Sequence, residues 1–155
     1  MPEGSCYKKA LDLLAGRPHF RRQLADKLAR RGFPEEEVAA ALDRLTAEGY
    51  LDDRKTALDF AVHRLERGGE GRRRLEAELA RRGAPAEAIA EAVADLSPED
   101  DLAAAREAAE RWARRGGTDP RALARHLDRK GFSRRAIFAL LDERSEPLDE
   151  SDVDP

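Results

Sequence analysis

The phrase LARRGFP at positions 28–34 returns as LARRGAP at 79–85 and again as LDRKGFS at 127–133. Each copy carries a leucine, basic residues, a glycine and then a small or aromatic apolar residue. A glycine that follows a helical stripe takes the left-handed conformation at C′ without a Cβ penalty. The next residue then folds back on the position five before it, pairing Phe33 with Leu28, Ala84 with Leu79 and Phe132 with Leu127. Pro34 and Pro85 suit the opening turn of a following helix, where a missing N–H costs nothing. Ser133 fits an N-cap in the third copy. The phrase predicts a helix ending, a tight turn and a new helix, three times.

Alignment on the glycine extends the repeat in both directions. Leu24, Leu28, Gly32 and Val38 stand at the offsets of Leu75, Leu79, Gly83 and Ile89, and of Leu123, Leu127, Gly131 and Ile137; the glycines are 51 and 48 residues apart. Past each glycine the apolar residues keep the order of one helical face: Val38, Ala41, Leu42; Ile89, Ala92, Val93; Ile137, Leu140, Leu141. A first helix precedes each pair. It is expected over roughly 8–16 with Leu11 and Leu14 inward, after Asp53 with Leu58, Ala61, Val62 and Leu65 on one face, and after Asp101 with Leu102, Ala105, Ala109 and Trp112. No stretch alternates with period two. The reading is an all-α fold, an elongated, curved array of three tandem three-helix repeats over 7–52, 53–97 and 98–144, with about nine helices. The acidic segment 145–155 is expected to be disordered.

Composition agrees with thin layers between helices rather than one thick core. The 155 residues are 39 % charged and only 5 % aromatic, with a mean hydropathy of −0.73. Net charge is −3, but residues 142–155 alone contribute −6, which leaves +3 on the 141 residues before them. No apolar run is long enough for a membrane helix. The lone Cys6 excludes an internal disulfide and points to a reducing cytoplasm; it is expected in a mobile N-terminal stretch.

Few residues suggest chemistry. Asp52 with Asp53, and Asp100 with Asp101, sit where helices begin and read as caps rather than metal or acid–base pairs. His19, His63 and His126 lack ligand spacing, and no metal or cofactor is implied. Trp112 reads as core. GGEG at 68–71 lacks the following lysine and hydroxyl residue of a phosphate loop and reads as a hinge. Nothing here builds an enzyme. The basic clusters are a different matter, because cations complement a helix dipole at its C-terminal end only. Arg72, Arg73 and Arg74 stand at the start of a helix, and a group placed against local preference suggests function.

The segments ALDLLAGRP at 10–18, GYLDD at 49–53 and GEGRRRLEAELARRG at 69–83 resemble the RecX family, bacterial regulators of the RecA recombinase. The resemblance runs from about residue 7 to 144. It implies a non-enzymatic protein that binds the RecA filament on single-stranded DNA and restrains its ATPase, strand exchange and coprotease activities, within DNA repair, recombination and the SOS response. On that reading the second-helix cations face DNA phosphate or acidic RecA surface: Lys27, Arg30, Arg31, Arg72, Arg73, Arg74, Arg81, Arg82, Arg125 and Lys130. Direct DNA contact is the second candidate interaction, no membrane is expected, and the chain is expected to act as a monomer in the cytoplasm. Two alternatives stay open, a DNA-binding helical module independent of RecA and a helical-repeat protein scaffold.

Overall fold

Each of the three repeated phrases closes a helix in the expected way. In the computed structural model, which describes residues 5–145, Gly32, Gly83 and Gly131 have φ of 91°, 96° and 85°. The following N–H groups of Phe33, Ala84 and Phe132 donate to Leu28, Leu79 and Leu127 at 3.3, 3.0 and 3.2 Å. These are Schellman endings, with the glycine N–H groups donating to the next carbonyls along, those of Ala29, Ala80 and Asp128. Pro34 and Pro85 are extended N-caps, with ψ of 148° each, rather than first helical residues. The carbonyl of each accepts the first intrahelical bond, so the ring stands one position earlier than expected. Ser133 caps as anticipated, its hydroxyl accepting from the Ala136 N–H.

The described residues hold nine helices and no strand. They are α1 (Cys6–Gly16), α2 (Arg21–Arg30), α3 (Glu35–Ala47), α4 (Asp53–Arg67), α5 (Arg72–Arg81), α6 (Ala86–Val93), α7 (Pro98–Arg114), α8 (Pro120–Arg129) and α9 (Arg134–Ser145). The expected disordered tail lies outside the described residues beyond Ser145. Two compact units share the chain: Met1–His63 with Glu76–Asp95, and Arg64–Leu75 with Leu96–Pro155. The middle three helices are therefore divided between them.

In the first unit α1, α2 and α3 pack on one another. Leu24, Leu28, Phe33, Leu42, Leu45 and Leu51 are buried among them. Each such leucine contributes about 1.5–3 kcal/mol by leaving water. Cys6 is not in a mobile stretch: it lies in the first turn of α1, buried against the same core. Ser5 caps that helix by accepting from the Lys8 N–H, which is why α1 begins two residues early. Leu11 and Leu14 are half-buried, and Ala10 is fully buried. A second reversal occurs on α4. Ala57 and Ala61 are fully buried, whereas Leu58, Val62 and Leu65 are 49, 46 and 39 % exposed.

The second unit repeats the arrangement with α7, α8 and α9. Its core holds Ala105, Ala109, Leu123, Leu127, Phe132, Ile137 and Leu140. Trp112 is half-buried at the edge of that core. Gly71 is more than a hinge residue. A Cβ there would meet the Gly131 carbonyl oxygen at 2.4 Å, and its N–H donates to the Lys130 carbonyl at 2.8 Å.

The paired aspartates divide their labour. Asp52 and Asp100 cap their own helices, accepting respectively from the Lys55 N–H and the Ser97 N–H and hydroxyl. Their neighbours reach further. In the first unit Asp53 accepts from the Arg21 N–H, at the start of α2, at 2.9 Å. In the second, Asp101 accepts from the Arg72 N–H, which opens α5, and from the Ser133 N–H before α9. Each second carboxylate thus caps a helix other than its own.

Candidate functional site

The cations expected to form one binding set fall in both units. In the first unit Lys27 sits on α2 beside His19. The imidazole is 2 % exposed, with Nδ1 2.8 Å from the Arg17 carbonyl and Nε2 2.7 Å from Lys27 Nζ. Burial holds the His19 pKa below its ordinary value. A neutral ring that donates through Nδ1 and accepts through Nε2 satisfies both bonds. Lys27 is thereby engaged in the fold, and desolvation lowers its own pKa.

Arg81 and Arg82, at the end of α5, share one carboxylate. Glu78 accepts from Arg81 Nη2 at 2.6 Å and from Arg82 Nε at 3.0 Å, and the Arg82 guanidinium lies 4.6 Å from the Phe60 ring centre. By contrast Arg30 and Arg31, at the end of α2, are exposed and have no ion-pair partner among the described residues.

The triple arginine belongs to the second unit, and its placement has a local cause that sequence alone did not show. The start of α5 meets the carbonyls just past the end of α8, with Gly71 donating to Lys130 at 2.8 Å and Arg73 to Gly131 at 3.2 Å. The side chains follow. Arg73 Nη2 donates to the Asp128 carbonyl and carboxylate at 2.9 and 3.0 Å, and Arg74 Nη1 donates to the Arg129 carbonyl at 3.2 Å. Arg72 reaches the Leu96 carbonyl. Positive charge at the start of α5 is therefore opposed by the negative end of α8. Arg125, on α8, is exposed and without an ion-pair partner among the described residues.

A feature that the sequence did not announce lies nearby. Lys130 borders a cleft of about 320 Å³ whose other walls are Arg64, Arg67, Gly68, Gly69, Glu70 and Arg111. Arg67 and Arg111 are 44 positions apart and share no motif; only the turn glycines at 68 and 69 hinted at an unusual backbone there. No cluster of metal-ligating residues occurs among the described residues, and none of their helices is long and apolar enough to cross a membrane.

Fold and surface define an all-α helical-repeat protein with cation-bearing second helices. Family models for the first and second three-helix domains of RecX match residues 6–45 and 52–93. The chain belongs to the RecX family. It is 42 % identical over 144 residues to a regulatory protein RecX of Halorhodospira halophila, covering 88 % of each chain. A regulatory protein RecX of Mycobacterium sp. (strain KMS) is 37 % identical over 144 residues, with 84 % of this chain and 76 % of the relative covered. The crystal structure of RecX from Lactobacillus salivarius superposes with a TM-score of 0.80 at 20 % identity, over 89 % of this chain and 93 % of that one, a likeness of fold.

Proposed function

We propose that this chain is a non-enzymatic regulator of the RecA recombinase, acting as a monomer in the cytoplasm on the filament that RecA forms on single-stranded DNA. The repeats 7–52, 53–97 and 98–144 supply similar second helices, whose cations meet DNA phosphate or acidic RecA surface. The observation that carries this reading is the exposure of Arg30, Arg31 and Arg125 without carboxylate partners among the described residues. Arg72, Arg73, Arg74, Arg81 and Arg82 are partly committed to the fold.

The test is RecA's DNA-dependent ATPase measured against added protein. Wild-type protein lowers the rate. Arg30→Glu/Arg31→Glu/Arg125→Glu is expected to lose most of that inhibition at unchanged helicity. Reversing Arg72, Arg73 and Arg74 is a poorer probe, because Arg73→Glu sets a carboxylate against Asp128 and lowers stability as well. An ATPase rate indifferent to the wild-type protein would end the reading.

A further inference from the structure

The cleft bordered by the end of α4, the turn before α5, α7 and the end of α8 carries more positive charge than the fold uses. Four cations line it, Arg64, Arg67, Arg111 and Lys130, against the single carboxylate of Glu70. That carboxylate is already occupied from within. Arg64 binds it through Nε and Nη2, both at 3.0 Å, and Arg74 adds a contact at 3.3 Å. Arg67 and Lys130 have no ion-pair partner among the described residues. Arg111 reaches only Glu107, at 4.0 Å. Its guanidinium instead lies against the turn, with Nη2 3.0 Å from where a Cβ on Gly68 would stand. Gly68 and Gly69 have φ of 69° and 85°, so a side chain there would be both strained and in the way.

Gathering like charges around one cleft is unfavourable, and more so at the lower dielectric of a protein surface than in water. With Glu70 taken up by Arg64 and Arg74, the charges of Arg67 and Lys130 are left for an anion from outside. We propose that this cleft is a binding site for phosphate, with Arg67, Lys130 and Arg111 as donors and the Arg64–Glu70 pair as their support. A carboxylate ligand fits less well. One arginine suffices to hold a planar carboxylate in bidentate fashion, as Arg64 holds Glu70, whereas donors converging from separate helices suit a tetrahedral anion with several acceptor oxygens. No aromatic ring lines the walls to stack on a base, and the site reads a phosphate rather than a nucleotide. The phosphate comes either from a DNA backbone, in which case the site deepens the proposed function and rests on it, or from free inorganic phosphate.

The experiment uses the full chain and the double variant Arg67→Gln/Lys130→Gln, chosen because neither side chain has an ion-pair partner to lose among the described residues. Anisotropy of a labelled oligothymidylate, titrated at several salt concentrations, gives the slope of log affinity against log salt. The proposal expects that slope to fall by about 0.7 in the double variant, the value for one phosphate contact removed, with Arg67→Lys close to wild type. Calorimetry with inorganic phosphate forms the second arm. Phosphate binding lost in the variant, with no DNA binding by wild type, supports the site while defeating its DNA role. DNA binding with equal affinity and slope in both proteins overturns the site and leaves the proposed function standing. Binding of neither DNA nor phosphate, or of polyglutamate alone, also overturns it.

Discussion

At Glu78 a single carboxylate holds two arginines, and the pH dependence of that arrangement follows from its geometry. Hydrogen bonds from Arg81, then from Arg82, bring its pKa from the ordinary carboxylate value of 4.5 down to about 2. A depressed folded pKa means that the unfolded chain takes up the proton first as pH falls. The stabilisation is therefore complete above pH 4.5 and is lost progressively as pH drops toward 2. The Arg81 side chain is 71 % exposed, so solvent screening limits the net contribution at neutral pH to about 1 kcal/mol or less. Glu78→Gln should lower urea-unfolding stability at pH 7 by that amount and match wild type near pH 2. A difference that persisted at pH 2 would assign the role of Glu78 to packing instead. At this scale the helix endings were legible, since a glycine and the residue after it settle their turn within six positions. The partners of Arg73 and Arg74 were not. The sequence showed cations misplaced at the start of their own helix, while the negative end facing them comes from Asp128 and Arg129, 55 positions away.

Among the helices, α4 shows why a stripe of large apolar residues misleads. The small Ala57 and Ala61 are fully buried, and the bulkier Leu58, Val62 and Leu65 are left exposed. The expected face thus held at Ala61 but failed at its three larger residues, whereas α7, whose buried face is itself Ala105, Ala108 and Ala109, matched expectation at Ala105 and Ala109. The second aspartate of each pair was legible as a cap but not as a cap for another element. That division makes a graded prediction. Asp101→Ala unpairs two backbone N–H groups, those of Arg72 and Ser133; Asp53→Ala unpairs only that of Arg21. Losing one capping acceptor costs about 1 kcal/mol, so chemical denaturation should show about 2 kcal/mol lost at Asp101 and about 1 at Asp53. Asp101→Asn, which keeps one acceptor oxygen, should fall between wild type and Asp101→Ala. Equal losses at Asp53 and Asp101 would mean that water replaces the second acceptor at no cost.

For the molecule as a whole, the threefold repeat was the most legible feature, because its phrase recurs with its glycine and its apolar offsets intact. The functional surface was the least legible, since it depends on which of many arginines the fold has already engaged. Arg30 and Arg31 occupy the same place in their repeat as Arg81 and Arg82, but Glu78, three and four positions before the latter pair, engages both, where the first repeat has Lys27. Charge at long range adds one more term. Residues 146–155 hold five acids and no base, so removing them changes the net charge from −3 to +2. An acidic chain repels a polyanion, and its field acts over the Debye length, about 10 Å at 0.1 M salt and about 3 Å at 1 M. Protein ending at Ser145 should bind single-stranded DNA more tightly than the full chain at low salt, chiefly through faster association, and the two should converge as salt rises toward 1 M. Stopped-flow anisotropy across a salt series measures both quantities. If the two proteins kept the same ratio of affinities at every salt concentration, a short-range contact rather than net charge would govern the effect of these residues.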